Sequence, residues 1–389
     1  MSLYEVLTSA SSHADAARAM LYHTDAAGLL RGAVWTREND GGWVRPSRVG
    51  PVQARALESC LAWHPGLFRQ MARTTAGICL RFATDGTEVA VSVRLDDEPS
   101  GTADVLAPLD KGRRRPHDGF SAIADGRALA CVMPQTVGRA LPWMDDAEGP
   151  GAGIGIVSFS LERHSWRGAG TMAIPGLGAR HEVCLWLPCL RGCEVRDVWS
   201  DGTYIEPLPE RPHLLVLGDS LGQGFCADDP LLAWPSLLAA HLSLELVNQS
   251  IGGQVFQPSA LMGESVEEVS TIVIELGNNY RHEACTVAEV TRDVRAYLRE
   301  VVRAYPTARV VVVTPTGHDE DAWPVHPRSC AREVPAIVRA AARKLGLHVI
   351  DGTRLIERGD VVLSDGEHPS AAGHVQMAAR LAVMLEGGA

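Results

Sequence analysis

From residue 213 onward, short unbroken apolar runs alternate with stretches of helical spacing, and this alternation constrains the fold more than any other property of the chain. The runs are LLVLGDS, LELVNQS, STIVIELGNN, ARVVVVTPT and HVIDG. Among them lie WPSLLAAHLSL, VAEVTRDVRAYLREVVRAY, VPAIVRAAARKLG and SAAGHVQMAARLAVMLEG. A strand that is apolar on both faces must be covered on both, and the intervening helices supply that cover. The pattern therefore predicts a three-layer α/β unit with a central parallel sheet.

The earlier part of the chain follows another pattern. The first thirty residues read as one or two short amphipathic helices, and from Gly32 apolar runs are broken every few residues by Gly, Pro, Asp and Asn. In residues 76–95, AGICLRFATDGTEVAVSVRL, two alternating runs flank Thr84-Asp85-Gly86-Thr87 and suggest a hairpin. Similar short runs recur in DGFSAIADGRALACVM, GIGIVSFSLERHSW and HEVCLWLPCLRGCEVRDVW, as expected of a β-sandwich or jelly roll. Three prolines in IEPLPERP, residues 205–212, mark a stiff connector. The reading is thus a β-rich accessory domain over residues 1–208 and an α/β domain over 209–389.

In open parallel sheets ligands bind at the carboxyl ends of the strands, which directs attention to four places. These are Gly218-Asp219-Ser220, Gly252-Gly253, Gly277-Asn278-Asn279, and Asp365-Gly366-Glu367-His368 ahead of the last helix. In order and placement they resemble the blocks of the SGNH (GDSL) hydrolases: GDS, a glycine, G-x-N, then D-x-x-H. The likeness spans roughly residues 212–389 and implies a flavodoxin-like catalytic domain for serine ester hydrolysis.

On that resemblance Ser220 is the nucleophile, His368 its general base and Asp365 the carboxylate that orients the imidazole. A serine hydroxyl needs such a base at neutral pH. The resemblance also implies an oxyanion hole made by the Ser220 N–H, the Gly253 N–H and the Asn279 side-chain amide, since the tetrahedral intermediate needs fixed donors. Gly252 competes with Gly253, and the spacing from Asn248 favours the latter; Asn278 competes with Asn279, and G-x-N selects Asn279. Tyr280 stands where the family pattern commonly has Asp, a departure that bears on loop shape.

Other residues have plainer readings. Asp219 is expected to bond nearby backbone N–H groups. His374 lies six residues past His368 on the last helix and points elsewhere. The loop at 316–330, TGHDEDAWPVHPRSC, reads equally as a wall beside the substrate or as a solvated connector. Residues 225–234 either line the acyl pocket or, at Trp234-Pro235, begin a helix. Trp35, Trp43 and Trp166 are expected to be buried rather than to stack on sugar.

Composition removes several classes. A net charge of -11 argues against nucleic acid, and the single dense basic run, KGRRR at 111–115, reads as a solvated loop. No apolar run approaches the length that spans a bilayer and the N-terminus lacks the pattern of a secretory signal, so no membrane partner and a cytoplasmic location are expected. The nine cysteines are expected to be reduced thiols. Cys184, Cys189 and Cys193, with His181 nearby, alternate like a strand and read as core packing, not as a zinc site. No cofactor or metal is expected.

The resulting expectation is an esterase that removes a short acyl group, most plausibly acetyl, from a carbohydrate or other small-molecule ester. A lipase, arylesterase or thioesterase for longer acyl chains is the alternative among enzymes. A glycan-binding protein on an inactive hydrolase fold is the alternative outside them. Oligomeric state is not legible.

Overall fold

The five apolar runs form one parallel sheet from strands His213–Gly218, Glu245–Asn248, Val269–Glu275, Arg309–Val313 and His348–Ile350, lying side by side in the order second, first, third, fourth, fifth. The computed structural model describes residues 20, 22–59, 70–96, 119–136, 154–161, 180–263, 265–357, 359 and 362–387. Successive residues of a strand point to opposite faces. Leu214, Val216, Val273 and Val311 enter one hydrophobic cluster with helices Trp234–Leu242 and Ala371–Glu386. Leu215, Leu217, Ile272 and Val312 enter another with helices Val287–Ala304 and Val334–Lys344. Helices thus cover both faces, as the unbroken apolar runs require.

Each helix begins where its sequence allows. Thr286 accepts a hydrogen bond from the Glu289 N–H (3.2 Å) while Glu289 Oε2 accepts from the Thr286 N–H (3.0 Å), so the two residues cap the helix reciprocally. Its buried residues Val290, Val294, Tyr297, Leu298 and Val301 recur every three or four positions and make one apolar stripe. Among the described residues no helix is long and apolar enough to cross a membrane.

The first half is built from antiparallel strands in two sheets. One holds Trp35–Glu38, Val44–Ser47, Cys193–Ser200, Glu88–Leu95, Ile154–Ser160 and Gln135–Thr136 in that order, with Tyr22–Asp25 also on Cys193–Ser200. The other holds Ile205–Pro207, Cys79–Thr84, His181–Trp186, Ser121–Ala124 and Arg127–Ala128, with Leu30–Arg31 on Cys79–Thr84. Leu80, Phe82 and Leu185 from one sheet share a core with Val89, Val91 and Val195 from the other.

The expected hairpin over residues 76–95 does not form. Cys79–Thr84 and Glu88–Leu95 are both strands, but they lie in different sheets. Both runs are buried along most of their length, and the turn between them is anchored to residues 200–201 rather than closed on itself. Thr84 Oγ1 lies 2.9 Å from Ser200 Oγ, and Asp201 Oδ1 accepts from the Thr87 N–H at 2.8 Å. A tight hairpin lies instead at Ser121–Ala128, where Asp125 and Gly126 both have positive φ (50° and 74°), as a two-residue turn between right-twisted strands demands. Residues 205–212 begin as a strand, Ile205–Pro207, before the chain reaches the parallel sheet. The helices expected before residue 20, the basic run at 111–115 and Trp166 lie outside the described residues.

The two halves are packed without a gap. Trp186 and Cys79 of the first half share a cluster with Trp234 and Leu238 of the second. Gly77, at φ +79°, lies against strand Glu245–Asn248 so closely that a Cβ there would come within 2.6 Å of the Asn248 Cβ. Only glycine meets both the backbone angle and the contact.

Candidate active site

In a parallel sheet with this strand order, the connections leaving the first and third strands run to opposite sides and open a crevice at the carboxyl ends of those two strands. Gly218-Asp219-Ser220 ends the first strand and Leu276 to Asn279 follow the third. Ser220 opens a four-residue helix, Ser220–Gln223, whose N-cap is Asp219 and which Gly224 ends in the left-handed conformation. The strand-to-helix turn holds the Ser220 hydroxyl out of the sheet.

Ser220 Oγ lies 2.9 Å from His368 Nε2, and His368 Nδ1 lies 2.7 Å from Asp365 Oδ2. The second contact is set by local geometry: Asp365 Oδ1 also accepts the N–H groups of Glu367 (2.9 Å) and His368 (2.7 Å), so the loop wraps around one carboxylate. Burial works against ionisation of Asp365, yet the His368 contact and the two backbone N–H groups outweigh it and hold the carboxyl down at about 2. His368 is itself buried, which would lower its pKa. The charge of Glu367, then the bond and charge of Asp365, raise it above the ordinary histidine value instead.

Around this chain of three sits a shell of which the sequence anticipates Phe225 and the loop carrying Trp323 but not Arg281. Arg281 is fully buried and ion-pairs with Glu367. Its guanidinium lies 5.5 Å from the Trp323 ring centroid. Trp323 Nε1 donates to the Asp365 carbonyl at 2.9 Å, and its ring meets the His368 ring edge to face at 6.1 Å. Phe225 stacks on the other ring contact of His368 at 5.5 Å. Trp323 therefore gives the loop at 316–330 a wall against His368. Residues 225–234 divide as both readings suggested, with Phe225 at the site and Trp234 opening the helix Trp234–Leu242.

Of the expected oxyanion donors, Asn279 reaches the residue next to Ser220, and the two glycines differ in what their N–H groups are free to do. The Gly252 N–H is committed to Gln223 Oε1 at 2.8 Å, which leaves Gly253, at φ +81°, as the glycine able to present its N–H. Asn279 and not Asn278 faces the nucleophile turn: Asn279 Nδ2 donates to Asp219 Oδ2 and to the Gln254 carbonyl, both at 3.1 Å. Asn278 instead donates to Glu275 Oε1 (3.4 Å) and Thr316 Oγ1 (3.3 Å). Asp219 accepts the Leu221 N–H at 3.1 Å, the backbone role expected of it, and adds the hold on Asn279.

Near Asp219 lies Glu275, also buried. Burial, and next the Asp219 charge, push Glu275 well above the carboxylate range, and burial pushes Asp219 up to about 7. With Glu275 protonated, the pair carries one charge rather than two. The detectable sign of Glu275 in the sequence is a lone acid at the end of an otherwise apolar run, STIVIE.

A second unanticipated group comes from the first half of the chain. The buried Arg48 guanidinium donates to the carbonyls of Asn248 (2.7 Å) and Ser250 (2.8 Å) and, on its own side, to those of Thr74 (2.9 Å) and Met71 (2.5 Å). The turn leading to Gly253 is thus pinned from outside the parallel sheet. Nothing in the local sequence around Arg48 signals this.

The remaining candidates fall away from the site. His374 is fully buried, accepts the Trp234 N–H on Nδ1 at 3.2 Å and meets the Phe225 carbonyl through Nε2 at 2.8 Å. Trp43 is buried under the Arg94 guanidinium, whereas Trp35 is 41% exposed, contrary to expectation, because it lies on an edge strand whose four residues are all exposed. Cys193 is buried against Thr75, and His181 pairs with Asp125 at 2.6 Å. Among the described residues, Cys226, Asp365 and His368 have ligand atoms within 4.8 Å of one another. That set is the Asp365–His368 pair with a buried thiol beside it. A cavity of about 440 Å³ adjoins Gly366 of the same loop and is lined by Thr316, His318, Asp319, Thr353 and Glu357 among others.

Residues 216–376 match the family described as GDSL-like lipase/acylhydrolase. Among solved structures, the chain is similar to a salicylyl-acyltransferase, SsfX3, from a tetracycline biosynthetic pathway, at 20% identity and a TM-score of 0.70, over 95% of this chain and 98% of that one. It is also similar to a family two carbohydrate esterase from Cellvibrio japonicus (13% identity, TM-score 0.58, 94% and 97% covered). A third similar structure is an acetyl xylan esterase, Est2A, from the rumen bacterium Butyrivibrio proteoclasticus (12%, 0.52, 94% and 98%). At these identities the likeness establishes the fold, including the sheet-rich first half. No curated protein matches the chain.

Proposed function

We propose that this chain, whose residues 216–376 form a GDSL-like lipase/acylhydrolase domain, is a serine esterase that removes a short acyl group, acetyl foremost, from a carbohydrate ester. The observation that carries the reading is the continuous contact from Ser220 through His368 to Asp365 at the mouth of the sheet. In this reading Gly253 and Asn279, with the Ser220 N–H, are the donors for the oxyanion. The sheet-rich first half, read as a sandwich or jelly roll, completes the active unit.

In this reading His368 Nε2 takes the Ser220 proton as Oγ attacks the ester carbonyl, and Asp365 keeps Nδ1 protonated so that Nε2 is free to act as base. The resulting oxyanion takes the N–H groups of Ser220 and Gly253 and the Asn279 amide. For that, one Asn279 N–H turns from its ground-state acceptor toward the new negative charge. Collapse expels the alcohol, which receives its proton from His368, and water then releases the acid from Ser220 by the same steps.

The acyl preference rests on the walls. Phe225 and Trp323 both contact His368, and two large rings so close to the nucleophile favour a short chain. The alcohol preference rests on the cavity beside Gly366, whose hydroxyl, carboxylate and imidazole lining suits a polyol. The carbohydrate esterases among the similar structures support the same substrate class. The likeness to a salicylyl-acyltransferase favours a second reading, in which the acyl-enzyme passes its acyl group to a hydroxyl acceptor instead of water.

Hydrolysis of p-nitrophenyl acetate, butyrate and octanoate by the wild type and by Ser220→Ala tests the proposal. Expected are a steep fall with chain length and near-complete loss in the variant. Equal rates in the two proteins would overturn the nucleophile, and a preference for octanoate the short-acyl reading. Adding a sugar acceptor separates hydrolysis from transfer, since transfer yields the acylated acceptor at the expense of free acid.

A further inference from the structure

The described cysteines are free thiols, as expected, and two of them stand close together across a long stretch of sequence. Cys285 Sγ and Cys330 Sγ lie 3.3 Å apart although the residues are 45 positions apart in sequence. Cys285 directly precedes the capping residue Thr286 of helix Val287–Ala304, and Cys330 closes the loop that carries Trp323. We propose that Cys285 and Cys330 are a disulfide-forming pair, a site of oxidation by low-molecular-weight disulfides that fastens the Trp323 loop to the segment following Asn279.

Four hydrogen bonds already hold the two segments in the register that a bridge needs. The His326 N–H donates to the Arg281 carbonyl at 2.7 Å, and the Cys285 N–H to the Arg328 carbonyl at 3.1 Å. Ser329 Oγ donates to the Tyr280 carbonyl at 2.7 Å, and the Cys330 N–H points at Cys285 Sγ at 3.3 Å. A disulfide needs sulfurs about 2.05 Å apart, so closing this pair asks for a movement of about 1.3 Å, within reach of side-chain rotation. Segments that are held in register lose little further entropy when they are joined.

The order of reaction follows from exposure. Cys285 is partly exposed and Cys330 is buried, so an incoming disulfide meets Cys285 first. The Cys285 thiolate attacks one sulfur of the oxidant, expelling one small thiol and leaving a mixed disulfide. The Cys330 thiolate then attacks Cys285 Sγ and expels the second thiol. The protein gives up two protons and two electrons, and the oxidant becomes two thiols. Burial, then the neighbouring Cys285 sulfur, push the Cys330 thiol up to about 12, so the second step is the slow one and quickens as pH rises.

A bridge here would act where the site is assembled. Arg281 contacts Trp323 and pairs with Glu367, and Trp323 holds the Asp365 carbonyl, so the loop and the Asn279 segment enclose His368 together. Tying the loop's C-terminal root to residue 285 restrains this enclosure without touching Ser220. The inference does not depend on the esterase reading, because the chemistry is that of two neighbouring thiols.

The test uses the full chain, incubated with oxidised glutathione at pH 8.5 and digested without reductant for mass spectrometry. Wild type should give a linked peptide pair containing residues 285 and 330, two hydrogens lighter than the reduced pair. Cys330→Ser should instead retain glutathione on Cys285, and Cys285→Ser should give neither product. A persistent glutathione adduct on wild-type Cys285 without the link, or no reaction at either residue, would overturn the pair. The oxidised wild type should also be cleaved by trypsin at Arg328 and Arg332 at least about tenfold more slowly than the reduced protein, local opening being what proteolysis reads. Equal rates would sink the fastening of the loop.

Discussion

Arg48 donates to the Ser250 carbonyl at 2.8 Å, and through that contact a side chain of the first, sheet-rich half holds the turn that ends in Gly253. Five acceptors surround this guanidinium and none is a carboxylate: four carbonyls and the Thr74 hydroxyl. Burial without a counter-charge lowers the arginine to about 10, which still leaves it protonated at neutral pH. A charge kept there without a partner ion marks a position where geometry matters.

Arg48→Met should therefore harm rate as well as stability. Removing the donor strands several buried carbonyls, each worth about 1–3 kcal/mol if left unpaired. It also loosens the Gly253 N–H, whose full value is realised only with an oxyanion present. The expected result is a kcat lower by about 10- to 100-fold, short of the full loss of an oxyanion donor, with KM little changed. Arg48→Lys should recover part of it. Steady-state kinetics beside urea unfolding checks this, and a KM effect with intact kcat would contradict it.

Asp365→Asn should keep the fold and lose the tautomer. The amide offers Nδ1 of His368 a donor where it needs an acceptor, so Nε2 becomes the protonated nitrogen and cannot take the Ser220 proton. A kcat fall of about 10³- to 10⁴-fold is expected. Circular dichroism should confirm an unchanged structure, and retention of more than a tenth of the wild-type rate would remove Asp365 from the mechanism.

The acid limb of the pH–rate profile should report His368, which must be neutral to act as base. Its raised pKa places the midpoint above the ordinary histidine value, and the Glu367 charge is the largest of the raising influences. Glu367→Gln should move the limb to lower pH, so that at pH 6 the variant keeps a larger share of its own plateau rate than wild type does. It should also cost stability, since Arg281 is left buried without its partner. A limb that stays in place would assign the titration elsewhere.

His374 should make the protein acid-sensitive in a defined window. Burial lowers its pKa from 6.5 to about 4, so the folded state binds its proton less readily than the unfolded chain. The sign follows: stability is fully present above pH 6.5 and is lost as pH falls toward 4, by about 3 kcal/mol at most. His368, with a raised pKa, contributes in the opposite sense. In urea titrations at pH 7 and 4.5, His374→Gln should lose less stability between the two pH values than wild type does.

What the sequence made legible was local. Each strand of the parallel sheet and each block at its carboxyl end is a contiguous segment, so Ser220, Gly253, Asn279, Asp365 and His368 were readable as candidates from spacing and a family likeness. What escaped depends on distant partners. The run through residues 79–95 has the alternation of a hairpin, but its two strands pair with distant segments, among them Cys193–Ser200 and His181–Trp186, more than ninety positions away. Arg48 and Arg281 were invisible for the same reason: their importance lies in carbonyls, a carboxylate and a ring supplied by other elements.

The Gly77 contact bears on ancestry. Strand Glu245–Asn248 is the rim of its sheet, and a neighbour that fits it to within one missing methyl group is a fitted jacket rather than a detachable tag. Such a seam resists shuffling: a recombination event that exchanged the first half for an unrelated one would place a side chain against Asn248 and uncover the rim to other chains. A change on either side of the seam is therefore tolerated only if it suits the other.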